Sequence, residues 1–326
     1  YPAKISIEQT SSEKTALYKA GLVSGETLID LTGGFGVDDY YFAERIGKVI
    51  HCEINTELSE IVKHNFEMLD IANIECILGD SKMILKNLNR QFDWIYIDPS
   101  RRNDTKGKVF MLRDCLPNVP DLLDFYFGYT DKILIKTAPI LDISAGLSEL
   151  KNVKRIHIVA VENEVKELLW EIEKGCSAAI EIKTINIQGS NEIFNFVRNE
   201  SALPVFGLPG KYLYEPNSAI MKSGGFNEVG IHFNLEKLHP HSHLYTADEK
   251  IDFPGRVFEI QNMFPCHKSA MKLLENKKVN ITTRNFPDSV ESIRKKWKIK
   301  DGGDQYCFFT TDQNNHKIVL ICTKIK

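Results

Sequence analysis

The sequence predicts an α/β chain. A doubly wound, Rossmann-like sheet of mostly parallel strands, closed by an antiparallel edge hairpin, is followed by a small α+β domain. Three observations predict it. Short apolar runs alternate with helical stripes through the first part of the chain. Four of those runs end, in order, in a glycine turn or an acid. A Pro/Gly-rich stretch at residues 203–210 then separates them from a second series of strands and helices. The expected organisation is a core over 1–202, an irregular connecting or substrate region over 203–255, and an α+β domain over 256–326.

Composition fits this reading. The 326 residues are 43% hydrophobic and 26% charged, ordinary for a globular chain with two cores. No apolar run approaches a membrane-spanning length, so no membrane is expected. Seven cysteines lie far apart with no C-x-x-C pair, which points to reduced thiols in a cytoplasm, with no metal expected. Charge is unevenly spread. Residues 267–300 hold ten Lys/Arg against three Asp/Glu, a local +7 in a chain of net −3, so the remainder carries about −10.

In chain order, residues 4–20 open with a short alternating piece. A helix follows, capped by Thr10, Ser11 or Ser12, with Glu13 in its first turn. The segment is either a plain capping piece or a lid whose polar residues reach a ligand. Residues 27–39 organise the rest. Leu28, Ile29 and Leu31 read as a buried strand, and Asp30 sits inside its end. Thr32, Gly33, Gly34 and Gly36 form a tight turn whose N–H groups can face a ligand, and Asp38 begins a helix running to Arg45. A dinucleotide fingerprint would need a third glycine where Asp39 stands; an acid there places charge near a pyrophosphate. Asp30 likewise suits a cationic ligand better than an anionic one.

Residues 48–53 are a second strand ending in Glu53, positioned to accept hydrogen bonds from both ribose hydroxyls of a nucleoside. Residues 56–69 are a helix with Leu58, Ile61, Val62, Phe66 and Leu69 on one stripe. Residues 74–80 are a third strand ending in Gly79-Asp80-Ser81, where Asp80 can hold a ligand, cap the helix 82–88, or both. Residues 92–98 are a buried strand ending in Asp98-Pro99-Ser100-Arg101-Arg102. Ligands of open α/β sheets sit beyond the carboxyl ends of the strands, so Asp98 shares a crevice with Gly34, Glu53 and Asp80. Residues 131–139 read as strand five, 142–150 as a helix, 153–161 as strand six and 163–174 as an amphipathic helix. Residues 179–187 and 192–198 read as a hairpin around Gly189.

Residues 211–255 read as irregular. His239, His241 and His243 there lack partners at metal-ligand spacing and read as a solvated loop. From 256 the order is strand, helix (267–276), strand, helix (289–298), strand, strand. Asp288 and Glu291 form a D-x-x-E start for the second helix, and Val290, Ile293 and Trp297 share its buried face. Arg294, Lys295, Lys296 and Lys298 are left exposed. They are candidate phosphate contacts, or simply a solvated face.

D-x-x-G-G-x-G at 30–36, followed by Glu53, Asp80 and Asp98-Pro99, resembles motifs I to IV of class I S-adenosylmethionine (SAM) methyltransferases. The resemblance covers residues 27–140 and implies SAM as cofactor. It implies that Asp30, Thr32, Gly33, Gly34, Gly36, Glu53, Asp80, Ser81 and Asp98 line its site. Residues 285–304 are similar to the THUMP-like domain behind such cores in a bacterial family, which implies an RNA partner (tRNA or rRNA). The fourth motif departs from the base-amino D/N-P-P-Y/F/W pattern: Ser100 replaces the second proline and Arg101 the ring. It is closer to the D-P-P-R of 5-methyluridine enzymes, but Lys136-Thr137-Ala138-Pro139 stands where those carry a nucleophilic cysteine. The expected chemistry is therefore direct displacement, with Asp98, Pro99, Ser100 and Arg101 at the acceptor. Arg101 and Arg102 grip a substrate phosphate or form a surface ion pair. Their charge is expected to hold Asp98 ionised and make it an orienting group rather than a base. A methyltransferase for a small molecule or protein, and a SAM-binding module without catalysis, stay open as alternatives.

Overall fold

The computed structural model describes residues 10–101, 111–198 and 202–326. The chain divides into two compact units, Tyr1–Asn191 and Glu192–Lys326, a division earlier in the chain than the Pro/Gly stretch at 203.

In the first unit, helix α1 (Glu13–Ala20) is capped by Ser12, whose hydroxyl accepts from Thr15 N. Strand β1 (Gly25–Asp30), helix α2 (Val37–Phe42), strand β2 (Ile46–Glu53), helix α3 (Thr56–Met68), strand β3 (Ile74–Leu78), helix α4 (Ser81–Leu88) and strand β4 (Trp94–Ile97) follow in alternation. Two short strands, β5 (Ser100–Arg101) and β6 (Cys115–Leu116), pair with each other. Helix α5 (Val119–Tyr126), strand β7 (Lys132–Thr137), helix α6 (Ile143–Glu149), and strands β8 (Val153–Val161), β9 (Glu164–Glu173) and β10 (Glu181–Ile187) complete the unit.

Eight of these strands line up as β10-β8-β9-β7-β4-β1-β2-β3. Strands β3, β2, β1, β4 and β7 run parallel. Their apolar runs are buried on both faces: Leu28, Ile29, Val49, Ile50, Ile95, Ile97, Ile133 and Ile135 are at most 1% exposed. Chain order reverses between β1 and β4. That switch point opens a crevice at the carboxyl ends of the strands.

One element differs in kind from the expectation. Residues 163–174 are not a helix but strand β9, antiparallel to both β7 and β8. Glu, Lys and Leu favour helix locally, yet Leu168, Leu169, Trp170 and Ile172 are fully buried, so both faces of the segment are covered. A single helix on a sheet buries one stripe; an interior strand buries both faces. An antiparallel strand thus also lies in the interior of the sheet, between β7 and β8.

In the second unit, strand β11 (Glu192–Val197) precedes strand β12 (Tyr212–Pro216), helix α7 (Ser218–Ser223), helix α8 (Phe226–Phe233), and strands β13 (Glu236–Lys237) and β14 (Tyr245–Ala247). Residues 211–255 are therefore ordered rather than irregular. Phe194, Tyr214, Ile220, Val229, Tyr245 and Phe253 form a core among them. Strand β15 (Gly255–Pro265), helix α9 (Lys268–Met271), strand β16 (Asn280–Thr283), helix α10 (Val290–Trp297), and strands β17 (Gln305–Thr311) and β18 (Lys317–Lys324) follow. One seven-stranded sheet, β13-β14-β12-β15-β18-β17-β16, joins both stretches. Ile293 of α10 is buried and Trp297 packs beside it on the core of Met271, Leu274, Val279 and Phe309.

Candidate functional site

The strand registers place the predicted residues side by side. Asp30 pairs with His51 on one side and Tyr96 on the other, and Ile97 pairs with Ile135. Continued past the strand ends, those registers set Thr32 beside Glu53 and Asp98, and Asp98 beside Lys136. Side-chain bonds lock this row. Asp98 N donates to Thr32 Oγ1 at 2.7 Å, and Thr32 Oγ1 and N donate to Asp30 Oδ1 at 3.1 and 2.7 Å. The ends of β1 and β4 are thereby tied together. Asp30 is buried and spends this oxygen on its own turn.

The glycine turn is shaped for close approach. Gly34 sits at φ 56° and donates its N–H to Glu53 Oε2 at 3.1 Å, while Glu53 Oε1 accepts from Asn55 N at 2.7 Å. A Cβ at Gly34 would meet only Thr32 O within 4 Å, so the turn faces open space there. At Gly33 the constraint comes from below: a Cβ would lie 2.1 Å from the His51 ring. Gly36, at φ 70°, is the N-cap of α2. Asp80 caps α4, accepting from Met83 N at 2.9 Å, with its side chain in the exposed rim and Ser81 beginning the helix.

Asp39 does not face the crevice, although its place in the fingerprint predicted charge there. It is fully buried beneath the turn, and its Oδ2 lies 2.6 Å from His51 Nδ1. Burial pushes its carboxyl up and the imidazole down, so both favour their uncharged forms. His51 was absent from the sequence reading. A histidine in an apolar strand gives no sign of its partner until α2 folds over it.

The Asp98 side of the crevice holds further charged groups. Lys136 of β7 pairs with Asp98, and Lys19 of α1 is wholly buried. Lys19 Nζ lies 2.8 and 2.7 Å from the two oxygens of Glu167, 3.0 Å from Ser11 Oγ and 3.3 Å from Asp38 Oδ1. Tyr96 OH and Ser11 Oγ donate to Asp38 Oδ2 at 2.7 and 3.0 Å. Ser11 thus ties the start of α1 to Asp38 of α2. Glu167 stands in this cluster because β9 is a strand entering from the carboxyl end of β7.

Burial raises the Asp98 pKa, and among the described residues Lys136, then Lys19, oppose the rise. Burial would lower Lys136, but Asp98, Asp38 and Glu167 outweigh it and hold the ammonium charged. Pro99 is buried and Ser100 exposed, with Ser100 Oγ donating to Leu116 O at 3.4 Å. The Arg101 side chain and Arg102 lie outside the described residues.

Among the described residues three carboxylates (Asp38, Asp98, Glu167) thus face two lysines (Lys19, Lys136), an excess of one acidic group at the crevice. Glu53 and Asp80 add to it at the neighbouring strand ends. An open glycine cradle, an acid beside it and a net negative wall fit a nucleoside carrying a sulfonium and an ammonium, as SAM does.

In the second unit Lys295, Lys296 and Lys298 are exposed as expected. Arg294 is not: its Nη2 lies 2.5 Å from Asp301 Oδ1. The helix cap is Ser289, whose Oγ accepts from Ser292 N at 3.2 Å, rather than Asp288. Asp288 instead lies 3.8 Å from Lys296.

Comparison with known proteins supplies the relatives. Residues 255–324 match a family described as THUMP domain-like, and residues 212–254 match a ferredoxin-like domain family. The chain is 31% identical to a solved structure from Porphyromonas gingivalis W83 described as a "putative methyltransferase". That match covers all of this chain and 84% of the other, with a TM-score of 0.89. It is 22% identical over 255 residues to an uncharacterized S-adenosylmethionine-dependent methyltransferase of Mycobacterium tuberculosis, covering 78% of this chain and 67% of the relative. A shorter match, 28% over 141 residues, is to a ubiquinone/menaquinone biosynthesis C-methyltransferase of Francisella tularensis; it spans 37% of this chain and 56% of that one.

Proposed function

Because the chain belongs to the class I SAM-dependent methyltransferases that carry a THUMP-like C-terminal domain, we propose that it methylates RNA. The first unit carries out the transfer and the second supplies the RNA contact. In this reading the turn at Gly33, Gly34 and Gly36 receives the cofactor, Glu53 accepts from its ribose hydroxyls, and Asp80 and Ser81 flank its base. The bound cofactor supplies a methyl group that is already electrophilic. The protein's task is then alignment and proton handling. Asp98, fixed by Thr32 and Lys136, faces the acceptor with Pro99, Ser100 and Arg101, and orients its N–H or O–H. The raised carboxyl pKa also suits Asp98 to take up that proton.

The observation that carries the RNA reading is the exposed lysine run at Lys295, Lys296 and Lys298, within a stretch of local +7 in an otherwise acidic chain. Methyl-labelled SAM incubated with total cellular RNA, with and without nuclease, tests it: label should enter nuclease-sensitive material. Binding should weaken with salt by about 0.7 log units per phosphate contact per tenfold salt. The Lys295→Gln, Lys296→Gln, Lys298→Gln variant should flatten that slope. Label that enters small molecules or protein, with no RNA affinity, overturns the RNA reading and leaves the methyltransferase intact.

A further inference from the structure

We infer that a pocket between α9 and α10 is a binding site for one unpaired nucleotide of an RNA strand; this rests on the RNA reading above and adds a site to it. The pocket is an open cleft of about 420 Å³, within the volume range of small-ligand sites. Its floor is apolar: Ile293 and Phe309 are buried. Two aromatic walls, Phe286 and Trp297, keep part of their surface exposed. Phe286 is braced edge-on against Phe309, with ring centroids 5.5 Å apart at 70°. Trp297 is braced on the core that holds Ile293.

The rim is cationic. Lys268 and Lys296 line the mouth and are exposed, and Lys296 Nζ stands 5.7 Å from the centre of the Trp297 ring. Asp288 is the acid at the rim. It lies 3.8 Å from Lys296, half-buried, and can accept from a base amino group. Lys295, Lys298 and Lys300 are exposed on the same helix and just beyond it.

Half-exposed aromatic faces between two cations match a flat base with a phosphate on either side. Base–aromatic stacking tolerates any sequence, and lysines follow the backbone. In a duplex each base is already stacked and paired, so a single strand, loop or end is the form that fits.

Tryptophan fluorescence reads this site directly. Trp94 and Trp170 are 4% and 0% exposed, leaving Trp297 as the accessible indole of the three. The intact protein is titrated with a short single-stranded oligoribonucleotide, a duplex of the same sequence and a nucleoside monophosphate. Fluorescence and the anisotropy of labelled RNA are followed together. The single strand should bind, quench Trp297 and outcompete both controls. Lys268→Gln with Lys296→Gln should weaken it about tenfold at low salt and reduce the salt slope by about 1.4, two contacts' worth. Phe286→Ala should weaken binding and leave the slope unchanged. Should Phe286→Ala fail to fold, the exposed lysine pair carries the test alone. RNA that binds without quenching, and equally well to the lysine variant, overturns the pocket and leaves the RNA reading standing. A monophosphate that binds as tightly as the strand also overturns it. Absence of any RNA binding overturns both.

Discussion

His51 Nδ1 lies 2.6 Å from Asp39 Oδ2, with both side chains fully buried beneath Gly33. The pair links β2 to α2 directly under the glycine turn. It also explains why residue 33 has no side chain: the imidazole fills the space a Cβ would take.

Gly33→Ala should therefore cost about 1–3 kcal/mol of stability by overpacking and weaken SAM binding. His51→Ala alone should cost about 1–3 kcal/mol, since it leaves the buried Asp39 carboxyl without its hydrogen-bond partner. Together the two changes should cost less than their sum, because the second makes room for the first. Denaturant titration of the four proteins checks this; strict additivity would mean that the ring and the turn are not in contact.

Glu53→Ala should weaken SAM by about 1.5–3 kcal/mol, the worth of a charged acceptor. In the folded chain Glu53 also holds Gly34 N and Asn55 N, so the loss includes loop order. Glu53→Gln keeps one acceptor oxygen and should fall between the two. Calorimetry with SAM reads the order; equal affinity in all three would remove Glu53 from the cofactor site.

If Asp98 orients the acceptor as proposed, Asp98→Ala should abolish methyl transfer and leave SAM binding largely in place. Lys136→Met should do something different. Removing the cation that opposes the burial effect raises the Asp98 pKa further. The acid limb of the pH–rate profile, where Asp98 takes up its proton, should move to higher pH. A limb that stays in place would show that Asp98 ionisation does not govern the rate.

His243 stacks on Phe226 with ring centroids 3.5 Å apart, and its Nδ1 is buried with no hydrogen-bond partner among the described residues. Burial, then Lys237 and Arg284, lower its pKa to about 4. The unfolded imidazole titrates near ~6.5, so as pH falls the unfolded chain takes up the proton first. The stability contribution is complete above that value, declines between it and about 4, and levels off below. His243→Asn, which tolerates the φ of 52° at this position, should flatten the decline in melting temperature over that window.

What the sequence by itself determined is the order of the cradle. Leu28 to Gly36, Glu53, Asp80 and Asp98 were legible because each follows a local rule: an apolar run for a buried strand, then a glycine or acid at its end. Parallel strands in a doubly wound sheet bring those ends to one edge, so local signals sufficed to assemble one side of the site. Four features needed the tertiary structure. Residues 164–173 have helix-forming side chains, and only their burial on both faces between β7 and β8 makes them a strand. That strand brings Glu167 to Lys19, residues 148 positions apart. His51 meets Asp39, and Lys136 meets Asp98, across elements that no sequence period connects. A charge is assigned its partner by the fold, because the energy of burying it depends on what other chain segments place beside it. Arg294 shows the same at the surface: its place in a basic run implied exposure, and the turn after α10 returns Asp301 to neutralise it.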